Sequence, residues 1–315
     1  MSVDVSIIIP VKDEHDPYLD QCLKSLRNLN YSGSFEFLVM KGGNRAQARN
    51  LGINLARGEI MVFIDSDCVA TKDWLSMLVS NLRQNKTLGG IGGINLSPSK
   101  SPFLGKAIDF VFSSYLGSLG SASLYEPAKP VFVSALACIN SAFWRKDLKA
   151  IGGFDEEFEL CEDTNLSYKV RSLGYKLLLD PKILVWHYRR DTIQRFAKQF
   201  FLYGMGRMRS MLTNKDYASK GALVPFTVIL LFPLISLLFP LFALAFFAVY
   251  LSAILVKGLQ GAKKSKVFRF LLLIPALFVI EHFAYFFGML YGVSKGKWKK
   301  PQEICEVFHR EVVTK

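Results

Sequence analysis

The sequence predicts an α/β domain with a Rossmann-like sheet, followed by a helical transmembrane region. Three observations carry this expectation. From Val5 to Ile64, short apolar runs alternate with helical periodicity in β-α-β-α-β order, joined by short loops, which implies a parallel sheet. The third run, Ile60 to Ile64, stops abruptly at Asp65-Ser66-Asp67. Burying such carboxylates unpaired is very costly, so they belong at the strand's exposed carboxyl end, where open α/β sheets bind ligands. From Ala222 onward the chain is mostly Leu, Phe, Ile, Ala and Val, broken by basic clusters, as a membrane region would be.

A length of 315 residues suits about two domains. The net charge of +13 gathers beside the apolar segments, where Lys and Arg meet anionic lipid headgroups. Neither a basic recognition helix nor an aromatic-Gly repeat accompanies it, so nucleic acid is not the expected partner. Cys22, Cys68, Cys138, Cys161 and Cys305 form no Cys-x-x-Cys pair. That spacing argues against a zinc site or a disulfide framework and suits a reducing compartment. Met1-Ser-Val-Asp lacks the basic region and long apolar stretch of a signal peptide.

Taken in order, Val5 to Val11 reads as a buried first strand, followed by the polar turn Lys12-Asp-Glu-His-Asp16. Leu19, Cys22, Leu23 and Leu26 then recur at the spacing of a helix packed on a sheet. Phe35 to Met40 is a second strand, and Arg45 to Ala56 a second helix stopped by Arg57-Gly58. Trp74 to Leu82 is amphipathic. Gly89-Gly-Ile-Gly-Gly93 lies near a short strand and matches no phosphate-binding fingerprint. Phe103 to Leu119 reads as a helix covering the sheet, with a mobile cover near the membrane as the alternative. Val131 to Phe143 is a strand leading into small and polar residues; Tyr175 to Leu179 and Ile183 to Trp186 are two more, ending at His187.

Two acidic features carry the chemistry. Asp65 and Asp67 suit a hard divalent cation that would hold the phosphates of a nucleotide, the alternative being a loop of solvated aspartates. Glu162 and Asp163 precede the periodic run Leu166, Val170, Leu173, so both lie in a helix's first turn, where the positive dipole end favours ionised carboxylates. Ordinary N-terminal helix acids would look the same.

Residues 3 to about 210 resemble the family-2 glycosyltransferases. The resemblance runs in order through Ser6-Ile-Ile-Ile-Pro10 with Lys12-Asp-Glu14, Ala48-Arg-Asn-Leu-Gly52, Gly58-Glu59 and Asp65-Ser-Asp67. It continues through Asn140-Ser-Ala-Phe-Trp-Arg145, Gly152-Gly-Phe-Asp-Glu156, Glu162-Asp-Thr-Asn-Leu166, Gly174-Tyr175 and His187. It implies an inverting enzyme on a GT-A fold, a mixed α/β sheet domain. Asp67, with Asp65, would bind Mg²⁺ or Mn²⁺ against the diphosphate of a nucleotide-sugar. Asp163 would be the general base for the acceptor hydroxyl, since a single in-line displacement needs no enzyme nucleophile. Glu162 would position substrate or support the loop. His187 would complete the metal shell or touch a phosphate, with a plain structural histidine as the alternative. Pro10 and Glu14 would shape the nucleoside pocket, and Arg49 would face the nucleotide.

Two departures from the family pattern matter. Relatives commonly carry Asp-Asp-Gly after the second strand, the first aspartate reading uracil; here Val39-Met-Lys-Gly-Gly43 has neither acid. The nucleotide base is therefore open. Polymer-forming relatives carry Gln-x-x-Arg-Trp, whereas Gln199-Phe-Phe-Leu-Tyr203 has Leu202 and Tyr203 at those places. Transfer of one sugar is expected, with Arg207 and Arg209 as contacts for a diphosphate or lipid headgroup.

The expected division is a catalytic domain over residues 1–215 and a membrane region over 216–315. Aromatic and basic residues alternate over 195–212, as in a helix lying in the membrane interface. Leu223 to Val256 exceeds one span of about 20 residues and is interrupted by Pro233 and Pro240. A helical hairpin turning near Phe239-Pro240 is expected, one long tilted helix being the alternative. Phe270 to Val293 is a further span; its Glu281 and His282 should face protein or a polar cavity. All three flanks are basic and leave the topology open. A multi-pass cell-membrane protein results, with its catalytic domain in the cytoplasm, where nucleotide-sugars are made. The acceptor would be a polyprenyl-linked or other glycan. The competing readings are a catalytically idle nucleotide- or glycan-binding membrane protein, and a nucleotidyltransferase, which would need a Gly-rich loop after the first strand.

Overall fold

The computed structural model describes residues 3–12, 15–98, 100–118, 127–188, 192–215, 220–297 and 304–314. The elements in chain order begin with β1 (Val5–Val11), α1 (Leu19–Arg27), β2 (Phe35–Lys41), α2 (Arg45–Leu55) and β3 (Ile60–Ile64). Next come β4 (Cys68–Ala70), α3 (Trp74–Gln84), β5 (Leu88–Leu96), α4 (Phe103–Ser113) and α5 (Tyr115–Ser118). They are followed by β6 (Val131–Val133), β7 (Asn140–Trp144), α6 (Arg145–Ala150), α7 (Glu162–Ser172) and β8 (Lys176–His187). The last elements are α8 (Ile193–Thr213), α9 (Lys220–Leu238), α10 (Pro240–Ser265), α11 (Phe270–Lys295) and β9 (Glu306–Val313).

The chain forms two compact units. One comprises Met1–Pro98, Ser121–Tyr188 and Trp298–Lys315, and the other Ser99–Gly120 and Arg189–Lys297. In the first unit the described strands form one sheet in the order β4-β8-β5-β7-β3-β1-β2-β9, with β6 paired to β8. The β1, β2 and β3 strands are parallel, so their carboxyl ends share one edge. All five residues of β3 are buried, as an interior strand covered on both faces requires. The sheet is mixed because β7 runs antiparallel to β3 and to β5. Gly58 enters β3 against the backbone of β1: a Cβ there would lie 2.6 Å from the Ser6 nitrogen.

Several elements differ from the sequence expectation. The Gly89–Gly93 cluster lies inside the nine-residue strand β5, and a Cβ on Gly93 would overlap the Ile183 carbonyl. The two strands expected over 175–186 are one strand, β8, whose register shifts between Gly93 and Ile94 of its partner β5. The stretch from Val131 to Phe143 holds two strands rather than one. The C-terminal tail supplies β9, antiparallel to β2, and so belongs to the first unit, whereas the sequence expectation put it with the membrane region. Its Arg310 guanidinium reaches the fully buried Glu36 carboxylate at 2.6 Å. Burial raises the Glu36 carboxyl, but the Arg57 amide, Arg310 and the Ser6 hydroxyl outweigh it and hold the group below its ordinary value.

In the second unit, the helix expected to cover the sheet is α4, and it packs instead on helices: Phe112 contacts Phe196 and Phe200 of α8, and Phe103 contacts Phe270 of α11. Its apolar face finds an apolar partner there. The helices α8 and α11 approach closely because glycine lines their crossing; a Cβ on Gly204 would overlap the Tyr285 carbonyl, and one on Gly288 the Phe201 carbonyl. The apolar stretch breaks at Phe239, between α9 and α10. Phe232 and Phe246 meet across the break with ring centroids 6.1 Å apart, where a straight helix would separate them by about 21 Å, so the chain folds back. Helices α10 and α11, 26 residues each, are long and apolar enough to cross a membrane. Glu281 is buried, and the His282 ring meets the Tyr250 hydroxyl at 3.0 Å and the Leu116 carbonyl at 3.2 Å.

Candidate active site

The site is built around Arg49. This α2 residue is 2% exposed, and its guanidinium lies 3.0 Å from Asp65 at the end of β3 and 2.7 Å from Glu162 at the start of α7. The Phe154 ring faces the same guanidinium at 5.6 Å. Arg49 therefore does not sit as a solvated helix residue. Burial works against its charge, but Cys138, Asp65 and Glu162 outweigh it and hold the cation firmly. Glu162 is nearly as buried as Arg49 and Asp65 only partly so, and the one cation fixes the ends of two elements far apart in sequence.

The start of α7 is set by an unusual residue. Cys161, its N-cap, has φ 64°, a left-handed conformation that costs a non-glycine residue about 1–2 kcal/mol. The chain turns there so that Glu162 points to Arg49 while Asp163 follows on the next position. The Asp163 carboxylate accepts from the Thr164 amide at 2.7 Å. The preceding loop is anchored separately. Asn50 of α2 donates to the Phe154 carbonyl, and Lys169 and Asn165 of α7 hold Asp155. Gly152 and Gly153 permit this loop with φ of 74° and 67°.

Two buried thiols report how the acids converge. Burial pushes Cys138 up, Arg49 opposes that, and Asp163, Glu162 and Asp65 add to it. Burial likewise raises Cys22, followed by the fields of Asp67, Asp65 and Asp16. Asp65 is common to both groups. Contacts tie these acids in two sets: Arg49 joins Asp65 to Glu162, and the Ser66 hydroxyl between Asp65 and Asp67 donates to Asp16.

Asp67 belongs to a second cluster. Pairing of β4 with β8 sets Cys68 opposite His187, and the Tyr188 amide donates to the Asp67 carbonyl at 3.0 Å. This brings the His187 Nε2 atom to 3.3 Å from the Asp67 carboxylate, with donor atoms of Asp67, Cys68 and His187 all within 4.8 Å of one another. A carboxylate oxygen suits Mg²⁺ or Mn²⁺, whereas the buried Cys68 thiol is a soft donor that such cations pass over. Two protein donors leave positions for phosphate oxygens and water. The residues fit a hard divalent cation. Asp65, expected as a third ligand, is not in that group; its Oδ1 meets the Arg49 guanidinium at 3.0 Å.

Pro10 lies partly buried in β1, and the β1–β3 register, extended by two residues, sets it level with Asp65. Arg207 lies on α8 in the other unit. Glu14 lies outside the described residues. The sequence reading did not single out Asp16, which accepts from the Ser66 hydroxyl between the two site aspartates. Its position at the end of the polar turn after β1 was the available signal. Asn140 was legible only as part of a motif; it bonds the Trp74 indole and the Ile94 carbonyl, tying α3 and β5 beneath the site.

Acidic residues at the shared carboxyl ends of the parallel strands β1 and β3 of a mixed sheet stand where open α/β sheets bind ligands. Residues 35–152 match the family model described as glycosyl transferase family 2. That match covers just over a third of the chain, which has a GT-A fold and is a glycosyltransferase similar to family 2. It is 25% identical to the dolichyl N-acetyl-α-D-glucosaminyl phosphate 3-β-D-2,3-diacetamido-2,3-dideoxy-β-D-glucuronosyltransferase of Methanococcus voltae, over 93% of this chain and 98% of that protein. It is 23% identical to the poly-β-1,6-N-acetyl-D-glucosamine synthase of Staphylococcus epidermidis, over 64% of this chain, and spans only 48% of that protein's length. A mannosyltransferase from Pyrobaculum calidifontis, solved with GDP-Man and Mn²⁺, shares the fold with a TM-score of 0.50, at 16% identity over 90% of this chain and 87% of that one.

Proposed function

We propose that this protein is a membrane-bound inverting glycosyltransferase that moves one sugar from a nucleotide-sugar to a lipid-linked or cell-surface glycan acceptor. The observation that carries the reading is the Arg49 bridge, which draws the carboxylate after β3 and the acidic start of α7 to one point. Asp65 and Pro10 line the nucleoside side, with Glu14 assigned there from the sequence. Asp67 and His187 would hold Mg²⁺ or Mn²⁺, which when bound offsets the charge growing on the departing diphosphate. Asp163 takes the proton from the acceptor hydroxyl as that oxygen attacks the anomeric carbon. Glu162 serves as its anchor, fixed by Arg49. Inversion follows from one displacement with one base.

The acceptor assignment is supported by the name of the Methanococcus relative, which describes a dolichyl phosphate-linked sugar. Helices α10 and α11 support residence in the membrane, and the reading takes a multi-pass arrangement with the catalytic domain in the cytoplasm, where nucleotide-sugars are made. Arg207 contacts the acceptor's phosphate. The test is Asp163→Asn. Sugar transfer should fall by about 10²–10⁴-fold while nucleotide binding persists. Unchanged turnover would remove Asp163 from the base role. The donor is found by screening nucleotide-sugars for Mn²⁺-dependent thermal stabilisation.

A further inference from the structure

The tail strand β9 begins at the functional edge of the sheet. Its first residue, Glu306, pairs with Lys41, the last residue of β2, so the amino end of β9 lies where the parallel strands end. The turn that follows β2 is shaped to receive it. Gly42 and Gly43 have φ of 85° and 61°; a Cβ on Gly42 would lie 2.7 Å from the Ile304 carbonyl, and one on Gly43 would overlap the Cys305 sulfur. The Cys305 thiol donates to the Gly42 carbonyl at 3.0 Å. Glu306 lies 3.8 Å from the Lys41 ammonium and is 69% exposed, so its carboxylate keeps accepting capacity toward the open side. Beyond the turn, α2 is closed by a capping box between Asn44 and Gln47, and that helix carries Arg49.

The strands β3, β1, β2 and β9 are neighbours in that order. Three inter-strand steps of about 4.8 Å carry the edge roughly 14 Å from the end of β3 to β9. That span matches an extended nucleoside diphosphate with its phosphates beside Asp67 and its base beyond β1.

We propose that Ile304–Glu306, docked on the Gly42–Gly43 turn, forms the outer wall of the base-binding end of the nucleotide site, with the Glu306 carboxylate selecting the base. The inference rests on the nucleotide-sugar reading given above. A carboxylate only accepts hydrogen bonds. Uracil and guanine offer it a ring N–H, whereas the corresponding ring nitrogen of cytosine and adenine is an acceptor whose lone pair repels the carboxylate and leaves only the exocyclic amine to donate. Glu306 thus favours the first pair and makes the tail a specificity determinant.

The experiment is calorimetric titration of the full-length protein in detergent, with Mn²⁺ present, against UDP, GDP, CDP and ADP. The wild type should bind UDP or GDP at least about tenfold more tightly than CDP and ADP, the worth of one hydrogen bond to a charged group. In Glu306→Ala that ratio should fall to about threefold or less, with the melting temperature held because the residue is exposed. A ratio unchanged by the substitution, or a wild type without the preference, overturns the tail assignment alone. A wild type that binds no nucleoside diphosphate while Mn²⁺ is present overturns the nucleotide reading beneath it.

Discussion

Replacing Arg49 with methionine keeps much of the side-chain volume and removes the charge, so the loss is electrostatic. Glu162, with its side chain 7% exposed, is left buried without a counter-ion, and Asp65, 18% exposed, is left partly so. Removing one partner of a buried pair costs about 3–5 kcal/mol. The lost stacking on Phe154 adds roughly 0.5–1 kcal/mol. Relief of Asp65 by solvent offsets some of this, so Arg49→Met should cost about 4 kcal/mol. For a domain of this size that is a fall of roughly 8–16 °C in Tm. Arg49→Lys should fall between the two, since one ammonium lacks the guanidinium fork that meets both acids. The assay is thermal unfolding of the detergent-solubilised protein, followed by a double-mutant cycle. Adding Glu162→Gln to Arg49→Met removes the stranded charge and should recover about 1–2 kcal/mol. Arg49→Met within about 1 kcal/mol of wild type, or strict additivity in the cycle, would refute the bridge as the organising contact.

Three other outcomes are expected. Mn²⁺ should raise the melting temperature of the wild type and lose that effect in Asp67→Asn and in His187→Ala; stabilisation that survives both would exclude them as ligands. Glu36 has a folded pKa below its ordinary 4.5, so its contribution to stability is full above that value and is lost as pH falls through the lower folded value. Melting profiles of wild type and Glu36→Gln should therefore differ most near neutral pH and converge in acid, and a gap that widened in acid would contradict the Arg310 contact. Gly288→Val should force α8 and α11 apart and destabilise the helical unit by about 1–3 kcal/mol, read as faster proteolysis of residues 189–297; an unaffected digest would show that the crossing tolerates a side chain.

The parts of the fold written in local pattern were legible. Apolar runs such as Val5–Val11 and Ile60–Ile64 are buried strands because an interior parallel strand needs apolar residues on both faces. The tail strand was not legible, because Glu306-Val-Phe-His-Arg-Glu-Val-Val313 follows a basic, membrane-flanking stretch and its partner lies more than 260 residues earlier. Strand β5 was hidden for the opposite reason. Glycine is poor in isolated strands, and it is required there by neighbours distant in sequence, such as the Asn140 carbonyl at Gly92 and the Ile183 carbonyl at Gly93. At the site, residue types were readable and burial was not. Arg49 in an amphipathic helix looks solvent-facing until Glu162, 113 positions away, is seen to reach it. The left-handed turn at Cys161 has no sequence signature, since glycine or asparagine is the usual occupant.

The tail strand also fixes an order of events during synthesis. Glu36 is made early and stays without its Arg310 partner until the ribosome has passed α9, α10 and α11. The edge of β2 is likewise open until then. Every apolar helix is therefore made before the sheet can close, and the enzyme cannot complete its sheet while α9, α10 and α11 remain unmade.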